Sequence, residues 1–198
     1  MKKIVIIGSP GAGKSTFAQK LGDLLKIEVF HLDRYFWQAG WKEYPRDTRI
    51  EIQQQLVRGK DRWIIEGTYL SSSDSRLNAA DTIIFLDMPR LLCLWQAVKR
   101  HIAYRGCSRP DIPDGCTDKL SLLYILKVLV FPHRDRNSLL AKLKEIRLLE
   151  ANEPEKKTIL TYRSSKELED FLRRLSAQQQ KEHVCEEHSS HTLTVSVT

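Results

Sequence analysis

The feature that most constrains this chain is a glycine-rich segment near its start, which joins an apolar run to a helix pattern. Residues 4–7 are all β-branched, which is typical of a strand buried on both faces of a parallel sheet. The spacing Gly8-x-x-x-x-Gly13-Lys14-Ser15 follows, in the strand-loop-helix context that a phosphate-binding loop requires. The segment therefore predicts a phosphate site at the edge of a parallel sheet; a glycine-rich turn with a chance Lys-Ser pair is the alternative.

The residue types in this loop match the chemistry of a nucleoside triphosphate. Glycines let backbone N–H groups converge on phosphate oxygens, and the helix start adds the positive end of its dipole. We expect Lys14 to reach the β- and γ-phosphates and the Ser15 hydroxyl to ligate Mg²⁺. The sequence thus predicts ATP and Mg²⁺ as cofactors. The expected nucleotide-binding residues of the loop are Gly8, Pro10, Gly11, Ala12, Gly13, Lys14, Ser15 and Thr16.

Four further apolar runs predict strands, and helix patterns separate them. These runs occupy residues 27–32, 63–67, 82–86 and 158–162. Five short strands alternating with helices predict an α/β fold, in which helices cover both faces of a five-stranded parallel sheet.

Three of the predicted strands end in a carboxylate: Asp33, Glu66 and Asp87. Open α/β sheets bind ligands at the carboxyl ends of their strands, so we expect Asp33 and Glu66 near the phosphate loop. A metal ion and an attacking hydroxyl both need oxygen ligands, and Glu66 is the expected metal ligand beside Ser15. A surface-loop acid is the alternative for Glu66, and an N-cap of the following helix is the alternative for Asp87.

Aromatic residues cluster directly after Asp33. Tyr35, Phe36, Trp37 and Trp41 predict either a pocket for a ring-shaped substrate or a small satellite core beneath a loop.

Positive charge is concentrated in one part of the chain. The formal net charge is +7, and residues 90–150 hold 12 Lys and Arg against 6 Asp and Glu. This surplus indicates either an anionic partner, polyphosphate or nucleic acid, or a solvated basic face. Glycines and prolines within residues 101–118 predict a hinged lid that carries Arg105 and Arg109. Beyond the lid we expect two helices, at residues 120–131 and 138–149, interrupted at Pro132.

The expected domain organisation is a single domain at residues 1–176 and a polar tail at 177–198. A last helix is predicted to end at Leu175, and the tail is expected to be flexible. Its histidines suggest a metal site as an alternative, and Leu193, Val195 and Val197 suggest an edge strand. The chain shows no signal-peptide pattern, no C-x-x-C pair and no apolar run near the roughly 20 residues of a membrane span. We therefore expect a cytoplasmic protein without a membrane partner.

Taken together, the phosphate loop, the strand ends and the Arg-rich flap resemble the adenylate-kinase-related P-loop kinases. A narrower similarity, to bacterial topology modulation proteins, is carried by His31-Leu32-Asp33, Gly40-Trp41 and Tyr104-Arg105-Gly106. The resemblance implies a three-layer P-loop NTPase fold with an Arg-rich lid. It also implies nucleotide contacts from Arg100, Arg105 and Arg109. The catalytic residues that it implies are Lys14, Asp33, Arg100, Arg134 and Arg136.

The chain departs from adenylate kinases after the third strand. Residues 66–70 read Glu-Gly-Thr-Tyr-Leu where those enzymes carry Asp-Gly-Phe-Pro-Arg, so the arginine that binds a nucleoside monophosphate is missing. Asp33 looks more like the acid of shikimate and gluconate kinases, which orients or deprotonates a hydroxyl. We therefore predict a Mg²⁺-dependent kinase whose partners are a nucleoside triphosphate and a small acceptor, either a nucleoside or nucleotide or another small hydroxyl compound. The alternative is an ATP-binding regulatory protein that acts on DNA topology through its basic surface.

Overall fold

A computed structural model describes residues 1–104, 111–113, 115–116, 121–149 and 156–193. For residues 132–134 and 182–193 it describes the backbone alone. The chain divides into two compact units, Met1–Arg163 and Ser164–Thr198. In chain order, the elements of the first unit are β1 (Lys3–Gly8), α1 (Lys14–Leu25), β2 (Val29–His31), α2 (Leu32–Phe36), β3 (Trp37–Gln38), β4 (Lys42–Glu43), α3 (Arg46–Val57), β5 (Trp63–Glu66), a 3₁₀ turn (Leu70–Ser72), α4 (Asp74–Ala79), β6 (Thr82–Leu86), α5 (Arg90–Ala103), α6 (Leu122–Leu149) and β7 (Thr158–Tyr162).

The first unit is built on a five-stranded sheet in the order β2-β5-β1-β6-β7, with every neighbouring pair parallel. All five predicted strands are present, and the predicted α/β class is confirmed. The register places Ile6 of β1 and His31 of β2 on either side of Glu66. Because parallel strands end at a common edge, the last residues of β1, β2 and β5 are neighbours there.

Helices cover both faces of this sheet. The side chains of Val5 and Ile65 share a core cluster with Leu77 of α4 and Leu139 of α6. Ile64 points to the opposite face, because successive side chains of a strand alternate. On that face α1 approaches closely: a Cβ at Gly22 would lie 3.8 Å from Ile64 Cδ1.

Helix α5 packs through its small residues rather than through the apolar side chains that its sequence displays. Cys93 and Ala97 are buried, whereas Leu91 is 72% exposed and Trp95 is 62% exposed. A small contact face lets the phosphate loop approach the helix backbone, and a Cβ at Gly11 would lie only 2.3 Å from the Cys93 carbonyl oxygen.

The interruption predicted at Pro132 is wrong, because α6 is a single helix from Leu122 to Leu149. A proline within a helix removes one backbone hydrogen bond and costs about 3 kcal/mol. Phe131 before the proline, and Leu139 and Leu143 after it, are all buried in the core cluster. Packing on both sides of Pro132 therefore holds the two halves in one helix.

A short antiparallel hairpin, β3 with β4, follows α2 and was not predicted. Its turn contains two residues in the left-handed region, Gly40 (φ 76°) and Trp41 (φ 62°). The hairpin contains Trp37 and Trp41, whose rings pack edge to face with their centroids 5.6 Å apart.

The second unit contains α7 (Ser165–Leu193), which opens with a capping contact: the Glu167 backbone N–H donates to Ser164 Oγ at 3.2 Å. The helix continues past Leu175, where it was expected to end. Leu193 is its last residue, and the other two residues of the suggested edge strand lie outside the described residues. The domain boundary at 176 and the flexibility of the tail stay predictions.

None of the helices in the described part of the chain combines the length and hydropathy that a membrane span needs.

Candidate functional site

The phosphate loop joins β1 to α1 and is shaped by glycines in conformations that other residues rarely adopt. Gly11 and Gly13 have φ values of 78° and 82°. At Gly8, with φ 152°, a Cβ would lie 2.4 Å from the Leu86 carbonyl oxygen. The loop is therefore wedged between the end of β6 and the first turns of α5. This packing holds its backbone in place.

Lys14, the first residue of α1, folds back over the loop. Its Nζ donates to the Ser9 carbonyl oxygen at 3.0 Å. The Ala12 backbone N–H donates to the same carbonyl at 3.1 Å. The ammonium charge is thus held above the loop at the start of a twelve-residue helix, the arrangement that favours an anion.

Glu66 lies at the end of β5 and is buried, with 3% of its surface exposed, so the surface-loop interpretation is wrong. Ser15 Oγ donates to Glu66 Oε1 at 2.9 Å, and His31 Nδ1 lies 3.0 Å from the same oxygen. Burial lowers the pKa of His31, but the hydrogen bond and charge of Glu66 outweigh it with help from Asp111 and Asp33, so the net shift is upward.

The Ser15 and Glu66 oxygens fit a magnesium ion. Neighbouring ligands of an octahedral Mg²⁺ lie about 3 Å apart, as these two oxygens do. Magnesium takes one or two protein oxygens and completes its shell with water and phosphate. Among the described residues no group of three or more His, Cys, Asp and Glu could hold a metal. Such a pair therefore suits a metal carried by a nucleotide rather than one enclosed by protein.

Asp33 lies in the first turn of α2, immediately beyond the end of β2. Tyr69 donates its hydroxyl proton to Asp33 Oδ1 at 2.5 Å. Burial and the charge of Glu66 raise the pKa of Asp33, while the Tyr69 hydrogen bond and the charge of Lys14 lower it. The net shift is upward. Asp33 is therefore a stronger base than an exposed carboxylate.

The aromatic residues after Asp33 divide between core and site. Phe36 is fully buried in the main core, and its ring meets that of Tyr69 edge to face at 4.6 Å. Trp37 is half-buried and donates from Nε1 to the Tyr69 hydroxyl at 2.7 Å. Phe36 therefore belongs to the main core rather than to a satellite core, whereas Trp37 belongs to the surroundings of Asp33.

Besides Tyr69, two residues that organise this site were not singled out from the sequence, Thr68 and Arg76. The Thr68 hydroxyl donates to the Gly8 carbonyl oxygen at 2.5 Å and accepts from the Gly8 N–H at 3.2 Å. Arg76 is fully buried, and its Nη2 donates to the carbonyls of Gly67 at 3.0 Å and Thr68 at 2.6 Å. Its Nη1 donates to Gln53 Oε1, and desolvation lowers the pKa of Arg76 to about 9.

The arginines expected to contact the phosphates either bind other side chains of the protein or are not among the described residues. Arg100 donates to the Tyr124 hydroxyl at 3.1 Å. Arg136 binds Asp87 through two hydrogen bonds of 2.7 Å. Helix α5 has no side-chain cap, so the N-cap interpretation of Asp87 is wrong. Arg105 and Arg109, with half of the expected lid, lie outside the described residues, as does the side chain of Arg134.

The structure thus brings Lys14, Ser15, Glu66 and Asp33 to one edge of the sheet, with the rest of the phosphate loop beside them. Gly8 and Ala12 are buried in that loop, Pro10 is half-buried and Thr16 is exposed.

Comparison with known proteins shows similarity to shikimate kinases in both sequence and structure. No family model matches the chain. The chain is 23% identical over 145 residues to a shikimate kinase of Clostridium botulinum (strain Okra / Type B1), an alignment that covers 66% of this chain and 83% of that protein. A solved shikimate kinase from Acinetobacter baumannii, in complex with shikimate, has a TM-score of 0.53 at 15% identity and covers 92% of this chain and 94% of its own. An unliganded sugar kinase from Janibacter sp. HTCC2649 has a lower TM-score of 0.44 at 17% identity, with 91% of this chain and 93% of that chain covered.

The shikimate kinase likeness confirms the predicted P-loop kinase fold, since both chains are covered almost completely. The narrower resemblance to topology modulation proteins stays a prediction.

Proposed function

We propose that this protein is an ATP-dependent kinase that phosphorylates a hydroxyl group of a small molecule. The main observation behind the proposal is that a phosphate-binding loop and a buried carboxyl lie at the same edge of the sheet. A phosphate loop with Lys14 lies on one side, and Asp33, a carboxyl with a raised pKa, lies on the other. The similarity to a shikimate kinase supports the same reaction class.

Each residue has a defined task in this reaction. Lys14 neutralises phosphate charge, and ATP-bound Mg²⁺, held by Ser15 and Glu66, would supply further neutralisation. Asp33 accepts the proton of the acceptor hydroxyl while that oxygen forms a bond to the γ-phosphorus. The bond between the γ-phosphorus and the oxygen bridging to the β-phosphate breaks, and ADP leaves. The resemblance to adenylate-kinase-related P-loop kinases implies that five arginines neutralise phosphate charge: Arg100, Arg105, Arg109, Arg134 and Arg136.

Of the two acceptor classes, small hydroxyl compounds are favoured over nucleoside monophosphates. The segment after β5 lacks the monophosphate-binding arginine, and the nearby Arg76 is already committed to the carbonyls of Gly67 and Thr68. No observation favours the DNA-binding alternative.

A screen of ADP release tests the proposal. ATP and Mg²⁺ are supplied with shikimate, gluconate, other small hydroxy compounds, nucleosides and nucleotides, and ATP binding is measured separately by calorimetry. We expect one class of acceptor to stimulate ADP release. Binding of ATP without stimulation by any acceptor would overturn the proposal.

Asp33→Asn provides the matched test of the base. We expect it to lower acceptor-dependent turnover about 100-fold or more, because a positioned base contributes that much, and to leave ATP binding intact. Asp61→Asn is the control, since Asp61 is exposed and makes no hydrogen bond or ion pair in the described part of the chain.

A further inference from the structure

A one-way chain of hydrogen bonds ends on Asp33. The Trp37 indole can only donate, so the Tyr69 oxygen accepts from it, and the single hydroxyl proton of Tyr69 goes to Asp33 Oδ1. The two donor-acceptor distances are 2.7 Å and 2.5 Å. The other carboxylate oxygen, Oδ2, makes no hydrogen bond within the described part of the chain. The two oxygens of Asp33 are therefore unequal.

The backbone of Tyr69 supports a role for this residue. Its φ is 25° and its ψ is 59°, a conformation that a bulky residue rarely adopts and that strains the backbone. Such a conformation persists where the surroundings over-determine it. Here Arg76 holds the carbonyls of Gly67 and Thr68, and the Ser72 N–H donates to the Tyr69 carbonyl at 3.2 Å.

We propose that Tyr69, oriented by Trp37, is a positioning residue for the base: it occupies Oδ1 of Asp33 and leaves Oδ2 to receive the acceptor proton. The inference rests on the proposed kinase function and adds to it the residue that selects the reactive oxygen. Burial and the charge of Asp33 raise the pKa of Tyr69, so the hydroxyl stays a donor throughout the physiological range.

The hydrogen bond from Tyr69 also bears on the proton affinity of Asp33, because it stabilises the charged carboxylate and lowers its pKa. The other titratable groups near Asp33 are Glu66 on β5, Lys14 on α1, His31 on β2 and Asp111. None of these is removed by a change at Tyr69, so a shift in such a variant reports the lost hydroxyl.

Tyr69→Phe tests the inference, since it keeps the ring that packs on Phe36 and removes only the hydroxyl. We expect kcat to fall about 10- to 100-fold, because a misplaced reacting group costs up to this much, with little change in KM. The acidic limb of the pH profile of kcat/KM is expected to move to higher pH. In carbon-13 NMR of labelled aspartate, with Asp33→Asn for assignment, the Asp33 titration is expected to move in the same direction.

Two further variants keep the result interpretable. Tyr44→Phe is the control, because the Tyr44 hydroxyl makes no hydrogen bond within the described residues, and it is expected to match wild type. Trp37→Phe removes the orienting donor while keeping an aromatic ring in the hairpin, and it is expected to give a smaller shift of the same sign, even if Tyr69→Phe does not fold. An Asp33 titration in Tyr69→Phe that equals that of Tyr44→Phe, or an unchanged kcat, would overturn the inference. Failure of the kinase proposal would show differently, as wild-type protein that no acceptor stimulates.

Discussion

The two sides of the candidate site are built in different ways. The phosphate side, residues 8–16, is one continuous segment whose glycines, lysine and serine follow a fixed spacing. The acceptor side is assembled from separate segments: Asp33 from α2, Trp37 from the hairpin, Tyr69 from the loop after β5, and Arg76 from α4 beneath that loop. A phosphate needs a cradle of backbone groups, which one loop can supply, whereas a small acceptor needs side chains from several directions.

The largest expected effect is on the phosphate side, in Lys14→Met. Removing a cation from the transferred phosphoryl group is expected to lower kcat/KM about 10²- to 10³-fold, with an unchanged melting temperature. Acceptor-dependent ADP release and thermal unfolding measure the two quantities. A loss of less than about 10-fold would contradict the assigned role of Lys14.

An intermediate effect is expected on the acceptor side, in Arg76→Met. The variant leaves the carbonyls of Gly67 and Thr68 and the buried Gln53 without their donor, and we expect unfolding in urea to show a loss of about 2–3 kcal/mol. The control is Arg58→Met, at an exposed arginine whose side chain makes no hydrogen bond within the described residues. Equal stability of the two variants would show that the loop after β5 holds its shape without Arg76.

The smallest effect is expected at the ion pair of Asp87 and Arg136. The hydrogen bonds from Arg136 hold the pKa of Asp87 below its usual range. A depressed folded pKa means that the pair stabilises the protein above the unfolded pKa of about 3.9 and loses that contribution as pH falls through the folded pKa. Asp87→Asn is therefore expected to cost about 1 kcal/mol at pH 7 and nearly nothing in strong acid.

Urea unfolding of Asp87→Asn at both pH values measures this, with Asp61→Asn as the control. A deficit that persisted in strong acid would mean that Asp87 acts through its shape rather than its charge.

The phosphate side was predictable from sequence because its information is local. The run at residues 4–7, the glycine spacing and the following helix pattern are all read within one window, as are the other four strands. Asp33 and Glu66 lie at the edge where the sequence places them, because a parallel sheet brings the ends of its strands to one edge.

The acceptor side was predictable only in part, since its contacts join residues far apart in the chain. Tyr69 lies 36 positions from Asp33, and no periodicity indicates its positive φ. The same reason explains the error at Pro132, where local propensity predicted a break and packing of Phe131 and Leu139 preserved the helix. Helix α5 also has contacts that its residues alone do not indicate: Leu91 and Trp95 are exposed, and the phosphate loop packs against the backbone of Cys93.

The hydroxyl of Thr68 bonds to both backbone groups of Gly8, and Tyr69 is the next residue in the chain. In the proposed kinase, a displacement of Gly8 on nucleotide binding would be passed through Thr68 to the residue that holds the acceptor base. Such a link would make the two binding equilibria interdependent, and by thermodynamic reciprocity each substrate would then change the affinity for the other by the same factor. One threonine thus gives the site a route to binding cooperativity within a single chain.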